Sequence, residues 1–488
     1  MSKYTSIRLF QLILAVLLVF QWPVNVTANP SLLGDIGTRF ERNGSHPSDI
    51  FEFNGVVFFE AENQQAKRVM WASDGSPSWQ VEKVWQINIT VHNAPIFITL
   101  GNAMYFRADD GVSGIELWKY DGTSVSLVAD INPGSGSSSP ANLTAVNGML
   151  YFSADDGNTG EELWKYDGIH ASLVADINPG SGGSGPSNIT ALGSTLYFAA
   201  SDDNFGRELW KYDSTNASLV ADINPGNSSS FPRRLIPLGN TLFFSANDGS
   251  TGEELWKYDG NSTSLVTDIY PGNISSSLGE FTAMENALYF RADDGTSGDE
   301  LWKYDGTSTS QVADINSGPG DSYPNNLITV GNTLYFRAWN GGKSRLWKYN
   351  GTNLSSVTNL PAATAEHNIV AIGNTLYFSA GNGISGEELW KYDGNSVSLA
   401  ADINQGRGGS IPRNFIVADD DLYFSAFDDE TGEELWKYDG THAMQFANVR
   451  KDHTHSFPSD FARLNGITYL ALPQIEWVDF ILYPQDRV

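Results

Sequence analysis

Residues 150–168 read LYFSADDGNTGEELWKYDG, and this stretch returns with small changes along most of the chain. Its LWKY core, degenerate in the first copy, recurs 47, 46, 46, 46, 46, 45, 43 and 46 residues apart at Trp71, Trp118, Trp164, Trp210, Trp256, Trp302, Trp347, Trp390 and Trp436. A period between about 20 and 50 residues is typical of stacked or circular repeat proteins. The sequence therefore predicts an array of similar units.

Each unit has the size and turn chemistry of four short strands. In one copy the expected strands are Asn142–Val146, Met149–Ala154, Glu162–Tyr166 and Ala171–Ile177. Asn-Gly and Asp-Gly dipeptides close the two hairpins, since both tolerate the positive φ that tight turns require. Four antiparallel strands in about 46 residues make a propeller blade, and the hairpins disfavour the alternative, a β-solenoid. We predict an all-β fold, a single large propeller of four-stranded antiparallel blades.

The two ends of the chain carry fragments of a unit that complement each other. Residues 32–37 (LLGDIG) resemble a fourth strand, whereas 461–464, 467–471 and 475–480 resemble the first three. Joining them would leave no open sheet edge. We therefore predict about ten blades within residues 29–488: nine intact repeats and a composite closure blade from about 460–488 plus 31–37.

Composition and the N-terminus suggest an exported protein. Residues 1–28 comprise a basic start, the apolar run LFQLILAVLLVF and QWPVNVTA, the three parts of a secretory signal, with cleavage expected after Ala28. No later stretch is long enough for a membrane span. The net charge of −28, from 57 acidic and 29 basic residues, argues against a nucleic-acid partner. The chain has no cysteine, so the fold must hold without disulfides.

A second pattern surrounds each tryptophan. Ala154, Asp156, Thr159, Gly160 and Trp164 stand in an A-x-D-x-x-T-G-x-x-x-W spacing. The aspartate recurs at Asp110, Asp202, Asp248, Asp294 and Asp428, and the glycine at Gly114, Gly206, Gly252, Gly298, Gly386 and Gly432. A large indole can fill the space between neighbouring sheets.

This spacing resembles the tryptophan-docking motif of quinoprotein alcohol dehydrogenase propellers. The resemblance implies that the tryptophan packs between blades against the alanine and glycine, and that the aspartate and threonine tie the loop by hydrogen bonds. Those dehydrogenases use a vicinal cysteine pair and Ca²⁺ beside a catalytic aspartate, and this chain has no cysteine. A quinoprotein-like redox enzyme is therefore a minor alternative, and we expect no cofactor.

The repeat also resembles the secreted ELWxxDGT-repeat proteins. GEELWKYDGT and LVADINPGSGSSSP stand here nearly as in that family, over most of the chain after residue 28. The resemblance implies a propeller more firmly than any activity.

The loops from the second to the third strand and the connections from the fourth to the next first strand should share one face. Asp109, Asp155 and Asp293 precede the docking aspartates there and are weak Ca²⁺ candidates, or residues of turns. Their spacing lacks the pattern of an EF-hand. Departures from the repeat include Arg233, Arg234, Arg407 and Arg413 in or after the connections, Arg107, Arg291 and Arg337 in second strands, and the pair His453 and His455.

The acids repeat with the blades, which is typical of a scaffold rather than of a catalytic site. We therefore expect a non-catalytic binding or adhesion module, secreted or extracytoplasmic, that binds a protein or glycan on its acidic loop face. The alternative from another class is a glycan-active hydrolase or lyase, because large propellers also carry such enzymes.

Overall fold

The computed structural model describes residues 47–53, 56–62, 68–73, 79–80, 97–122, 124–357, 369–381, 384–406, 408–418, 420–447, 460–464 and 467–471. The chain divides into two compact units, one formed by residues 42–452 and the other by 1–41 with 453–488. All regular elements among the described residues are β-strands. No helix in these ranges could span a membrane.

Nine four-stranded antiparallel sheets follow one another in the larger unit, and we number them as blades 1 to 9. Blades 1 to 3 comprise β1 Ser48–Phe53, β2 Val56–Glu62, β3 Arg68–Ser73, β4 Trp79–Gln80; β5 Phe97–Leu100, β6 Ala103–Asp109, β7 Ile115–Tyr120, β8 Val125–Ala129; β9 Ala141–Val146, β10 Met149–Asp155, β11 Glu161–Tyr166, β12 Ala171–Ala175. Blades 4 to 6 comprise β13 Ser187–Leu192, β14 Thr195–Asp202, β15 Gly206–Tyr212, β16 Ala217–Ala221; β17 Arg233–Leu238, β18 Thr241–Asn247, β19 Glu253–Tyr258, β20 Thr263–Thr267; β21 Gly279–Met284, β22 Ala287–Asp293, β23 Asp299–Tyr304, β24 Thr309–Ala313. Blades 7 to 9 comprise β25 Asn325–Val330, β26 Thr333–Trp339, β27 Ser344–Tyr349, β28 Leu354–Ser356; β29 Val370–Ile372, β30 Thr375–Gly381, β31 Glu387–Tyr392, β32 Val397–Ala401; β33 Arg413–Ala418, β34 Asp421–Asp428, β35 Gly432–Tyr438, β36 Ala443–Ala447.

The strands lie within one or two residues of where the sequence predicts them. In blade 3 the largest difference is at the fourth strand, which ends at Ala175 rather than at Ile177. The two residues between β9 and β10, Asn147 and Gly148, both have positive φ, of 51° and 79°. Such a turn matches the twist of the strands that it joins, which explains the Asn-Gly signal.

Both faces of each sheet are buried against neighbouring sheets. In blade 3, Leu150, Phe152 and Ala154 belong to a core shared with blade 2. Tyr151 and Leu163 belong to a separate core shared with blade 4. Because side chains alternate along a strand, apolar residues on consecutive positions fill two different cores. This arrangement explains the continuous LYF run, which an exposed sheet face would not need.

Nine such cores, each bridging two consecutive blades, are present among the described residues. Eight join blades 1 to 9 in sequence order. The ninth contains Val57 and Phe59 of blade 1 together with Tyr423 and Leu435 of blade 9. The larger unit is therefore a β-propeller whose ring closes through direct packing of its first blade on its last.

This closure differs from the composite tenth blade that the sequence suggested between them. Blades 1 and 9 share a core, so no further sheet separates them. Two of the expected C-terminal strands do form, β37 Asp460–Leu464 and β38 Ile467–Ala471, as a two-stranded sheet in the smaller unit. The third, 475–480, and the N-terminal strand, 31–37, lie outside the described residues, as do residues 1–28.

The first strand of each blade lies closest to the axis of the ring. First strands of neighbouring blades contact each other, for example β13 with β17 and β21 with β25. The remaining strands are added outward in chain order. Residues just before a first strand therefore stand around the inner rim of the propeller.

Candidate functional site

The loops after second strands and the connections between blades form one continuous surface, which we call the connection face. The backbone N–H of Ser201, at the end of β14, donates to the carbonyl of Ser184 at 2.8 Å. The N–H of Asp203 donates to Oδ1 of Asn178 at 3.3 Å. Both acceptors lie in the connection that leads into blade 4, so this face is assembled as the propeller topology predicted.

The docking aspartates hold the loops in place. Oδ1 of Asp156 accepts from the backbone N–H of Asn158 at 2.9 Å and of Thr159 at 2.8 Å, and from Oγ1 of Thr159 at 3.0 Å. Equivalent backbone N–H groups donate to Asp110, Asp202, Asp248, Asp294 and Asp428. Hydrogen bonds from Ser113 and Val112 hold the pKa of Asp110 below its usual value. The expected loop-tying role is thus the one these carboxylates perform.

The three Ca²⁺ candidates also serve turns. Asp109, Asp155 and Asp293 each accept the N–H of the glycine two residues later, at 2.7 Å. Asn247 makes the same contact with Gly249, also at 2.7 Å, without a charge. The three aspartates stand in different blades. Within the described ranges, no three His, Cys, Asp or Glu side chains group to hold a metal.

The glycine of the docking motif has a different neighbour from the one expected. A Cβ on Gly252 would lie 2.6 Å from the carbonyl oxygen of Ile274, in the connection that follows the same blade. Its φ of +77° also disfavours any other residue. The glycine therefore lets the connection approach the loop, whereas the resemblance had assigned it to contact with the indole.

The tryptophans lie in the cores between blades. Trp210 is 8% exposed and belongs to the core between blades 3 and 4. The indole N–H of Trp436 donates to the carbonyl of Ala426, the motif alanine of its own sheet, at 3.1 Å. Trp71 and Trp347 make the same contact, to Ala61 and Ala338. In blades 1, 7 and 9 the indole thus joins its own second strand to the packing against the preceding blade, whereas the indole nitrogens of Trp118, Trp164, Trp210, Trp256, Trp302 and Trp390 are buried without a hydrogen-bond partner among the described residues.

A buried glutamate in seven of the nine blades escaped the sequence reading. Glu162 is 0% exposed, and its carboxylate accepts from the backbone N–H of Ile177 at 3.1 Å and of Ser184 at 2.9 Å, and from Oγ of Ser184 at 2.6 Å. The same serine-to-glutamate bond joins Ser138 to Glu116, Ser230 to Glu208, Ser276 to Glu254, Ser322 to Glu300 and Ser410 to Glu388. One side chain thereby anchors a whole connection.

The sequence does contain a signal for this anchor. The glutamate stands two residues before the tryptophan and the serine twenty after it. In blade 7 the glutamate position holds Arg345, and the connection that follows, TNLPAATAEHN at 358–368, has lost the ADINPG pattern and the serine. Both changes occur together because neither partner is useful without the other. Burial raises the pKa of Glu254 and of Glu300 to about 7.

The residue after each anchoring serine adopts left-handed backbone. The φ values are 48° at Ser139, 55° at Gly185, 50° at Phe231, 52° at Ser277, 45° at Tyr323 and 48° at Ile411. In most blades a proline follows, giving Ser-x-Pro just before the first strand. Phe231, Tyr323 and Ile411 expose 50%, 52% and 44% of their surface. These three side chains stand at the inner rim, and the motif analysis missed them.

Most of the arginines that depart from the repeat have local partners. Arg234 pairs with Glu253 at 3.1 Å and Arg291 with Asp299 at 3.7 Å. Nε of Arg413 donates to Glu433 at 2.8 Å, and a guanidinium N–H of Arg337 to Ser344 at 3.2 Å. Arg233 instead lies over the ring of Phe231, 5.8 Å from its centroid. Arg407, His453 and His455 lie outside the described residues.

Comparisons with known proteins found no matching family model and no matching curated protein. Among solved structures, a puromycin hydrolase matches 72% of this chain and 60% of its own at 12% identity, with a TM-score of 0.37. The β-propeller domain of the Trilobed protease from Pyrococcus furiosus matches over 63% of this chain and 97% of its own, at 10% identity and a TM-score of 0.33. The chain thus spans less than two thirds of the hydrolase's length. The likeness concerns the fold alone, and the hydrolase and protease functions in these names belong to those proteins.

Proposed function

We propose that this protein is an exported, non-catalytic binding propeller whose ligand docks on the inner rim of the connection face. The observation that carries the proposal is the set of bulky, half-exposed side chains at the left-handed Ser-x-Pro position. These are Phe231, Tyr323 and Ile411, which introduce blades 5, 7 and 9.

Such residues are unfavourable at this backbone conformation. A bulky or β-branched side chain at positive φ is a steric outlier and costs on the order of 1 kcal/mol or more. The turn itself does not require bulk, since Gly185, Ser139 and Ser277 occupy the same position in other blades. Exposure means that little packing offsets the cost. Tyr323 makes a hydrogen bond to Asp321 and Phe231 contacts Arg233, but the exposed surface of all three side chains remains available for contact with a ligand.

The acidic loops contribute the scaffold of this surface. Asp155 and Asp156 are both engaged by backbone N–H groups of their own loop. The same loop recurs around the ring, so its acids do not distinguish one blade from another. The side chains that differ between blades are the better candidates for contact with a protein or glycan.

The test compares a rim variant with a control that removes exposed apolar side chains elsewhere. The rim variant is F231S/Y323S/I411S, which copies the serine of blades 3 and 6 and should therefore fold. The control is I169S/M444S, because Ile169 is 75% and Met444 45% exposed away from the rim. Both are compared with the wild type on a glycan array and against purified polysaccharides and proteins by equilibrium binding.

We expect the wild type and the control to bind the same ligand and the rim variant to lose it. Unchanged binding by the rim variant, or no ligand for the wild type, contradicts the proposal. Turnover of a polysaccharide by the wild type would instead favour a hydrolase or lyase. Export is tested separately, by recovering a chain that begins at Asn29 from outside the cytoplasm.

A further inference from the structure

Among the described residues Arg233 has no carboxylate partner, although the protein is strongly acidic. It is exposed, and its guanidinium lies over the Phe231 ring. In the part of the chain that the structure describes, no carboxylate lies within salt-bridge distance of it. With 57 acidic and 29 basic residues, such a partner would be easy to supply.

In blade 9 the arginine at the position equivalent to Arg233 is neutralised by a carboxylate. Arg413 follows the same Ser-x-Pro segment and binds Glu433 with two guanidinium nitrogens. The equivalent carboxylate of blade 5 is Glu253, but there the next residue, Arg234, takes it at 3.1 Å. Blade 9 has Asn414 in place of Arg234, so Arg413 meets no competitor. The extra arginine of blade 5 therefore leaves Arg233 available.

A further cation and the exposed ring lie beside Arg233. The N–H of Phe231 donates to the carbonyl of Arg207 at 3.2 Å, which joins the two backbones. The guanidinium of Arg207 donates to neutral oxygens, among them the carbonyl of Gly185 at 2.8 Å and that of Ser184 at 3.5 Å, and it interacts electrostatically with both Glu161 and Arg233. The guanidinium groups of Arg233 and Arg207 and the half-exposed ring of Phe231 thus lie close together at the inner rim.

We infer that Phe231, Arg233 and Arg207 form a subsite for one anionic sugar residue. This inference rests on the proposed function and names its ligand class. The aromatic ring offers a flat apolar surface to the C–H face of a pyranose, and a guanidinium binds a carboxylate or sulfate through paired hydrogen bonds. A neutral sugar would use only the ring.

The net charge of the molecule limits which anionic glycans this subsite can bind. A polyanion would be repelled by a net charge of −28, most strongly at low ionic strength. The subsite therefore suits a largely neutral glycan that carries one acidic residue. Uronates and sulfate esters share the required chemistry and are separated by the test.

The test measures affinities of the full chain for a neutral oligosaccharide, the same oligosaccharide ending in glucuronate, its sulfated counterpart, and polyglucuronate. Proteins are the wild type, R233Q, and the matched control R413Q, which removes an arginine from the same repeat position where a carboxylate already neutralises it. Circular dichroism and melting curves establish that each variant is folded.

We expect the singly acidic glycan to bind at least about tenfold more tightly than the neutral one, and R233Q to abolish this preference while R413Q keeps it. Polyglucuronate should bind weakly at low salt and gain affinity as salt is added. Glycan binding with equal affinity for acidic and neutral forms, or a preference that survives R233Q, overturns this inference but leaves the binding function intact. Binding of acidic peptides in place of glycans also overturns it. If F231S/Y323S/I411S loses all binding but the wild type does not prefer acidic glycans, the proposed function is supported and the anionic subsite is overturned.

Discussion

The side-chain amide of Asn414 donates a hydrogen bond of 3.2 Å to the carbonyl of Pro47, and so joins blade 9 to blade 1. Asn142 makes the same bond at 3.1 Å to the carbonyl of Pro186, between blades 3 and 4. Both asparagines have left-handed backbone, with φ of 58° and 56°. The contact that closes the ring is therefore a copy of a contact inside it.

Because the two hydrogen bonds are equivalent, substitutions of Asn414 and Asn142 should lower the stability of the fold by equal amounts. N414A and N142A should each lower the free energy of unfolding by about 1–2 kcal/mol, from the lost hydrogen bond and from alanine at positive φ. N414G and N142G, which relieve the backbone, should cost less. Urea denaturation of the four variants checks this, and an N414A protein as stable as the wild type would show that blades 1 and 9 are not joined this way.

The packing of the indoles predicts a contrast between two tryptophans. Trp210 is 8% exposed, whereas Trp339 at the end of β26 is 41% exposed. W210A should cost about 3–5 kcal/mol, since it empties a cavity between blades 3 and 4, and should lower the melting temperature by several degrees. W339A should leave melting nearly unchanged. Similar melting curves for the two variants would contradict packing between blades.

The anchoring pair predicts strong coupling between its members. E162A leaves the N–H groups of Ile177 and Ser184 without their acceptor and should cost about 1–3 kcal/mol, and S184A about 1 kcal/mol. The double variant should cost less than the sum, because the second change removes a partner that is already lost. A double-mutant cycle measured by denaturation gives the coupling. Strict additivity would mean that the two side chains act independently.

The raised pKa values predict a pH dependence of stability. Glu254 and Glu300 have pKa values near 7 when folded, well above that of an exposed glutamate, because burial disfavours their charged form. Their stabilising contribution is therefore complete below about pH 4.5 and is lost as the pH rises through 7. Unfolding free energy should fall by about 1–3 kcal/mol per group from pH 5 to pH 8.

The glutamine variants isolate this effect. E254Q/E300Q should flatten the pH dependence of unfolding between pH 5 and 8. Turn aspartates act at lower pH: hydrogen bonds lower the pKa of Asp213 and of Asp439 to about 2, so their contribution is present above pH 4 and disappears as the pH falls through 2. The prediction would have the wrong sign if the free energy of unfolding of the wild type rose from pH 5 to pH 8 and E254Q/E300Q removed that rise.

The turn role of the loop acids predicts that charge matters at one position and not at its neighbour. D155N should change the unfolding free energy by less than about 0.5 kcal/mol, since Asn247 makes the equivalent contact. D156A should cost about 1–2 kcal/mol, because three donors lose their acceptor. Added Ca²⁺ should leave the melting temperature of the wild type unchanged. A rise that D155N abolishes would restore Asp155 as a metal ligand.

The sequence by itself determined the repeat, the strands and the turns of this protein. These depend on local chemistry: the Asn-Gly and Asp-Gly dipeptides fix hairpins, and the LYF and LWKY runs supply apolar residues on both faces of a strand. The role of Asp156 in its loop was also predictable, because its partners lie within three residues.

Only the tertiary structure decided how the ring closes, what Glu162 binds and where Phe231 points. Closure depends on how much each blade turns relative to the next, and no residue encodes that angle. Glu162 and Ser184 are 22 residues apart in the chain, and their hydrogen bond exists only once the connection has folded back over the third strand. Phe231 and Arg233 become a surface only because a left-handed residue at the inner rim turns them outward, a placement set by the contacts of the whole blade rather than by the residues beside them.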